Sequence, residues 1–239
     1  MTVPRTDDLL LPRGIERLVV LGDPHGDLAG LETVLAREER PGVAVVSAGD
    51  NVGYADGPTS SRLCRLLAVR GISSVLGNHE AWALDDGELF LIEPPEAPNR
   101  LDDDALAWCR GLPVRLRIRF EDAPGLTVSL VHAHHGNYVS AENAGALAAE
   151  EAASVVFCGH SHGPAIYTVR GAVLAAKALL EPDGLLEARM APDARYVVDA
   201  GSVGRPGFYP DPERLELATY AALDLRERRL EVRALAKSR

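Results

Sequence analysis

Residues 17–27 read RLVVLGDPHGD. A short Val/Leu run meets Gly22, and Asp23 and His25 follow one residue apart. A run this short reads as a buried β-strand, because helices need ten or more residues to develop a face. A turn after the strand uses glycine and aspartate, but it has no need of His25. The same arrangement recurs along the chain. VAVVSA (43–48) meets Gly49 and Asp50, SSVL (73–76) meets Gly77, Asn78 and His79, LTVSLV (126–131) meets His132, and SVVFC (154–158) meets Gly159 and His160. Helical patterns lie between them at 28–40, 60–69 and 140–152. This alternation predicts an α/β layered fold.

The last third differs. AIYTV (165–169), AVLAA (172–176), ARYVVDA (194–200), LATYAALDL (217–225) and LEVRAL (230–235) follow one another as strands, an antiparallel or mixed part that suggests a second sheet. Residues 84–113, with Pro94, Pro95, Pro98 and acids at 102–104, read as an exposed insertion or cap. The Glu/Arg-rich stretch 226–233 reads as a solvated face. No linker cuts the chain, so 1–239 is expected to form one domain.

The composition is that of a soluble globular protein, 46% apolar and 25% charged. A formal net charge of −10 disfavours a nucleic-acid binder with a broad basic face, since such binding works by neutralising phosphates. It leaves room for a phosphorylated substrate held through bound cations, which reverse the field locally. Cys64, Cys109 and Cys158 are odd in number and form no C-x-x-C pair, which points to a reducing compartment. The first residues lack the basic start and long apolar core of a signal peptide, and no run approaches a membrane span. A cytoplasmic protein with no membrane partner is the expectation.

Open α/β sheets bind ligands beyond the carboxyl ends of their strands. Those ends carry Asp23, His25, Asp50, Asn78, His79, His132, His160 and His162, including five of the seven histidines. Singly, each Asp or Asn is explained by turn chemistry; together with histidines at matching ends they are not. The set offers imidazole nitrogen, carboxylate and amide oxygen and no thiolate, which suits Mn²⁺, Fe, Zn²⁺, Ni²⁺ or Co²⁺. Asp-x-His and His-x-His place alternate side chains on one side of an extended segment, so each pair can aim two ligands at one site. Eight groups exceed one ion's needs. Two ions about 3.5–4 Å apart sharing a carboxylate would use them, and such a pair fits phosphate-ester hydrolysis by a metal-bound hydroxide.

GDPHG, GDNVGYADGP, GNHE, LVH and GHSH, in this order and followed by DAGSVGRPG at 199–207, resemble the calcineurin-like metallophosphoesterase superfamily, and in particular its small bacterial phosphodiesterase-type branch. The likeness runs from about 17 to 235. It implies a two-sheet αββα sandwich. By position, it implies Asp23, His25 and His162 on a first metal, Asn78, His132 and His160 on a second, Asp50 bridging both, and His79 as the substrate-contacting acid beside Asn78. Asp50 and His79 are the residues on which catalysis is expected to depend, with Mn²⁺ the first choice of metal. Serine/threonine phosphatases of the superfamily read GDxVDRG where Gly53 and Tyr54 stand here, and carry Arg where Leu76 stands. These departures speak against phosphoprotein phosphatase activity. Pro24, and AHHG after His132, also depart from the commoner pattern.

Around this set, Tyr54 either borders the pocket or packs, His134 and His135 either line the cleft or sit on an exposed loop, and Arg205 either binds phosphate or makes a surface salt bridge. The expected activity is hydrolysis of a phosphodiester or phosphomonoester of a small phosphorylated substrate. The alternatives are a nucleotide or dinucleoside polyphosphate hydrolase and, of another class, a protein-interaction scaffold with a weakened metal site.

Overall fold

The computed structural model describes residues 5–84, 100–170, 172–177, 181–207 and 214–237. Its elements run in the order β1 (Thr6–Leu11), β2 (Arg17–Leu21), α1 (Leu28–Glu38), β3 (Val43–Ser47), α2 (Gly57–Val69), β4 (Ser73–Ser74), α3 (Asn78–Ala83), α4 (Asp103–Arg110), β5 (Arg115–Phe120), β6 (Val128–Val131), α5 (Ala144–Glu151), β7 (Val155–Cys158), β8 (Ala165–Arg170), β9 (Ala172–Lys177), β10 (Leu185–Arg189), β11 (Arg195–Asp199), β12 (Leu217–Asp224) and β13 (Arg229–Ala236).

Two mixed sheets stack with helices on their outer faces. One has the order β1-β5-β6-β7-β11-β8-β9 and the other β10-β13-β12-β2-β3-β4. The period-two alternation of strand side chains builds the layers. In β2, Leu18 and Val20 point between the sheets, where they meet Ile118, Leu130, Phe157 and Val198. Val19 and Leu21 point the other way, against Leu31, Val34 and Leu35 of α1 and Leu63 and Leu67 of α2. In β7, Val155 and Phe157 face the inter-sheet core, and Val156 and Cys158 face Leu147 and Ala148 of α5. Strands buried on both faces need unbroken apolar runs, and LVVL of β2 and VVFC of β7 supply them, while VAVV of β3 is only partly buried over its first three residues. Burying each Val or Leu in this way is worth roughly 1.5–3 kcal/mol.

Helix starts follow side-chain caps. Asp27 Oδ1 accepts from Gly30 N at 2.8 Å, Asp56 from Thr59 N at 2.7 Å and Asp102 from Ala105 N at 2.9 Å. Each occupies one of the backbone N–H groups that a helix N-terminus leaves unpaired. No helix among the described residues is long and apolar enough to cross a membrane.

Three expectations are corrected. The strands of the last third do not form a sheet of their own: β8, β9 and β11 join one sheet, and β10, β12 and β13 join the other. Of the segment 84–113, residues 85–99 lie outside the described residues. The part that follows is not simply exposed: Leu101, Ala105 and Cys109 are buried in a small core with Val52 and Cys64. The stretch 226–233 is not uniformly solvated, because Leu230 and Val232 enter the inter-sheet core and Glu231 is 1% exposed. Glu231 accepts from Arg17 Nη2 at 2.8 Å and from Arg233 Nε at 2.8 Å, which makes its burial tolerable.

Candidate metal centre

The strands that carry the motif residues lie parallel in each sheet. β2 pairs with β3 and β3 with β4, while β6 pairs with β7. Their carboxyl ends meet at one edge of the sandwich. β2 delivers Asp23 and His25, β3 delivers Asp50, β4 delivers Asn78 and His79, β6 delivers His132, and β7 delivers His160 and His162. The pairing continues into the turns: His25 N donates to Asp50 O at 2.9 Å, and Gly159 N donates to His132 O at 3.1 Å. The two halves are then joined directly. His160 N donates to Asp23 Oδ2 at 2.8 Å, across the gap between sheets.

Asp23, His25 and His162 bring their donor atoms together in one group, and Asp50, His132 and His160 do so in another. Asp50 also groups with His25 and His79. Asn78 Oδ1 joins the second group, 2.9 Å from His132 Nε2. All seven residues expected as ligands are buried. His79 is only partly so, and its backbone N–H donates to Asp50 Oδ1 at 2.9 Å.

The hydrogen bonds fix what these atoms can do. His25 Nδ1 donates to Val52 O at 3.0 Å and His162 Nδ1 donates to Arg205 O at 2.9 Å. Each ring therefore presents a bare Nε2, and the two Nε2 atoms face each other at 3.0 Å. His132 Nδ1 donates to Ala48 O at 2.8 Å, so its Nε2 points at Asn78 Oδ1 and at Asp50 Oδ2, 3.3 Å away. Among the described residues, Asp23 Oδ1 and His160 Nε2 are buried without a hydrogen-bond partner. Lone pairs converging in a buried space repel and leave desolvation uncompensated. A divalent cation resolves both problems. Imidazoles that donate their second N–H to a backbone carbonyl are also in the tautomer that coordination requires. The donor set fits divalent metal ions.

Electrostatics agree. Burial holds His25 well below the usual histidine range, and it brings His160 down to about 3 and His162 to about 4. These imidazoles are neutral at pH 7, with lone pairs available. Burial disfavours charge on Asp50, but His132, His79 and His25 outweigh it and hold the carboxyl well below its usual range. Burial also works against a charged His132, yet Asp50 and Asp23 push it up to about 10. Burial pushes Asp23 well above the carboxylate range against the pull of His132, with Asp50 and Asp199 adding to it. Without cations the centre is thus a set of carboxylates competing for protons, the condition that divalent charge reverses.

The backbone is bent to bring the donors in. Asp23, His25, Asp50, His160 and His162 have φ values of 38°, 50°, 50°, 73° and 57°, in the left-handed region that non-glycine residues avoid. At Gly53, φ is 110° and an added Cβ would lie 2.3 Å from His79 Nδ1, so only glycine lets the His79 ring sit where it does.

Tyr54 and Arg205 meet at the rim. The Arg205 guanidinium lies over the Tyr54 ring, 4.1 Å from its centroid, and that ring lies 4.6 Å from His25 and 5.1 Å from His79. Tyr54 is 57% exposed. His134 is not brought into the group of seven. It joins His135 against Glu150, in a cluster of its own.

Two further residues support the centre. Glu80 of GNHE is fully buried, and its carboxylate accepts from the backbone N–H groups of Asp50, Asn51, Val52 and Gly77. It pins the turn holding Asp50 to the turn holding Asn78. Asp199, at the carboxyl end of β11, is fully buried and accepts from Ser161 Oγ at 2.6 Å, between His160 and His162. The strand-end rule that identified the others applies to Asp199 as well; for Glu80 the signal was its place within GNHE.

A family model for calcineurin-like phosphoesterases matches residues 16–164. No curated protein matches the chain. Among solved structures, a metallophosphoesterase from Sphaerobacter thermophilus is similar at 24% identity, with 93% of this chain and 89% of that one covered and a TM-score of 0.64. A candidate diadenosine tetraphosphatase is similar at 19% identity, covering 95% and 97%, with a TM-score of 0.51. A serine/threonine phosphatase from Saccharomyces cerevisiae is similar at 11% identity, covering 97% and 84%, with a TM-score of 0.54. These likenesses concern the fold, whose two stacked mixed sheets and flanking helices they share. With motif turns, buried donor set and family match all falling on the same strand ends, the chain belongs to the calcineurin-like phosphoesterases, metal-dependent hydrolases of phosphoric esters.

Proposed function

We propose that the protein is a two-metal phosphoesterase that cleaves a phosphodiester or phosphomonoester of a small phosphorylated molecule. The observation that carries this reading is the convergence of His25 Nε2 on His162 Nε2 beside Asp23, next to a group of Asp50, His132 and His160, with Asp23 Oδ1 and His160 Nε2 buried and unpartnered and Asp50 also grouped with His25 and His79. Asp23, His25 and His162 would hold one ion, Asn78, His132 and His160 the other, and Asp50 both. Nitrogen and oxygen donors without thiolate suit Mn²⁺ first, with Fe, Zn²⁺, Ni²⁺ and Co²⁺ as the other candidates. Such ions, when bound, acidify water at neutral pH and neutralise phosphoryl oxygens.

The chain's own residues supply the rest. His79 stands against Asp50 through its backbone, and its ring is clamped between His25 and Trp82 at centroid distances of 4.8 and 4.6 Å. A partly buried imidazole so held can deliver a proton to the leaving oxygen. Arg205, the cation at the rim, is suited to a phosphate oxygen, and Tyr54 sets its position. A second reading, a nucleotide or dinucleoside polyphosphate as substrate, is favoured by the same pair, because the exposed Tyr54 ring beside the partly buried Arg205 guanidinium offers a base a flat face. The three cysteines, all buried and free, support a reducing, cytoplasmic setting.

The test is hydrolysis of bis-p-nitrophenyl phosphate and p-nitrophenyl phosphate, with Mn²⁺ and with chelator, for the native chain, Asp50→Asn and His79→Ala. Metal-dependent turnover that collapses in both variants while they stay folded is expected. Full activity in both variants would overturn the assignment.

A further inference from the structure

A second cluster of donors lies outside this centre. His135 Nε2 is 2.8 Å from Glu150 Oε2, and His134 Nε2 is 3.4 Å from the same oxygen. The three donor atoms all lie within 4.8 Å of one another. Consecutive residues of an extended chain point to opposite sides. Here His135 adopts φ 51°, and a pair of backbone hydrogen bonds between His134 and Asn137 closes the turn, so both imidazoles face one carboxylate. Glu150 sits in the last turn of α5. Its other oxygen, Oε1, is 3.6 Å from Arg115 Nη2, but Arg115 is committed more closely to Glu151, at 2.6 Å. Oε2 is the oxygen left facing the two rings. A cavity of about 230 Å³, lined by His134, His135, Gly136, Arg115 and Glu150, opens beside them.

We propose that His134, His135 and Glu150 form a third, exchangeable metal site, suited to Zn²⁺ or another borderline divalent cation. Zinc bonds to imidazole nitrogen and carboxylate oxygen are about 2.0–2.2 Å long, so tetrahedral ligands sit about 3.3 Å apart. The spacings to Glu150 straddle that figure. Two imidazoles and one carboxylate match zinc's preferred donors, and three protein ligands leave a fourth position open to water or an anion in the cavity. His135 is exposed, with its side chain 67% accessible, so the ion can exchange with solvent. Binding would tie the loop after β6 to α5. The same loop supports the main centre: Tyr138 stacks on His160 at 4.6 Å, and a backbone hydrogen bond joins His160 to Gly136. Occupancy of the outer site therefore fixes one wall of the inner one.

The inference does not rest on the phosphoesterase reading, and its test separates the two. Untagged full-length protein, stripped of metal, is dialysed against increasing free Zn²⁺, and bound zinc is counted for the native chain, His135→Ala and Glu150→Gln. One equivalent fewer in each variant is expected, or at least a tenfold weaker last equivalent. The same difference should persist when His135→Ala is added to Asp50→Asn, in which the main centre is impaired. His135 is exposed and its loss leaves the core untouched, so this variant decides the matter should Glu150→Gln fold poorly. Equal zinc uptake and equal affinity in native protein and His135→Ala would overturn the proposal.

Discussion

Replacing Glu80 by Gln changes one atom and should destabilise the protein well beyond what one atom suggests. In the native structure Oε1 accepts from Asn51 N at 2.6 Å and Val52 N at 3.1 Å, and Oε2 accepts from Asp50 N at 3.0 Å and Gly77 N at 2.9 Å. A glutamine has one oxygen. Whichever way the amide turns, two of the four backbone N–H groups then face an NH₂ donor instead of an acceptor. The site is fully buried, so water does not replace the lost partners. A buried orphaned donor costs about 1–3 kcal/mol, which gives about 2–6 kcal/mol for the pair. A domain of ordinary stability has only about 5–15 kcal/mol in total. Urea unfolding of the metal-free protein, followed by far-ultraviolet circular dichroism, measures this without interference from metal binding. Metal content after reloading measures the second effect, since the same four bonds set Asp50 against Asn78. A variant within about 0.5 kcal/mol of the native chain, the range of an ordinary surface change, would refute the reasoning.

Three other outcomes follow from the structure. Gly53→Ala forces a Cβ toward His79 at a φ of 110°, and turnover of an aryl phosphodiester should fall by about a hundredfold with metal content retained, since misplacing a reacting group by about 1 Å has that effect. Burial works against a charged Glu231, but Arg17 and Arg233 outweigh it and bring its carboxyl down to about 2, with Arg229 Nη2 a further 2.9 Å ion pair. The unfolded chain takes up its proton near pH 4.5, so the stabilisation is complete above that pH and is lost as pH falls toward 2; Tm measured from pH 7 to 2 should fall less steeply in Glu231→Gln than in the native chain. Mn²⁺ at a hundred times its Kd should stabilise the folded state by about 2.7 kcal/mol per site, read as a rise in Tm that chelator reverses and that Asp23→Asn diminishes.

The site was more legible in the sequence than the periphery of the fold. The edge that carries the candidate centre is made of buried or partly buried strands, and these are short, continuous and apolar. That is why RLVVL, VAVVS and VVFC stand out from their surroundings. Each ends where the chain leaves the core, so polar residues there are forced together by topology. Strands β1, β5 and β10 escaped notice for the opposite reason. Arg115–Phe120 alternates buried and exposed residues, with Arg117 and Arg119 in solvent, and β10 alternates between exposed and partly buried positions. Edge and near-edge strands carry charge, and their pattern is easily lost among loops. The sheet membership of the last third was equally hidden. β11 pairs with β7 and β12 with β2, contacts between residues far apart in sequence that no local period encodes. The role of Glu80 was invisible because its partners are backbone N–H groups, which every residue possesses.

The left-handed backbone at Asp23, His25, Asp50, His160 and His162 has a bearing on how such a protein can change over time. A non-glycine residue held there costs of order 1 kcal/mol or more, and it persists only because its surroundings enforce it. Glycine adopts the same angles freely. At His25 or His162, a mutation to glycine would relax the chain while removing a donor. Drift in the absence of selection for activity would therefore tend to make the fold sturdier as it erased the centre. An inactive descendant of this chain need not be a damaged protein; it would retain the sandwich, with a calmer set of turns along one edge.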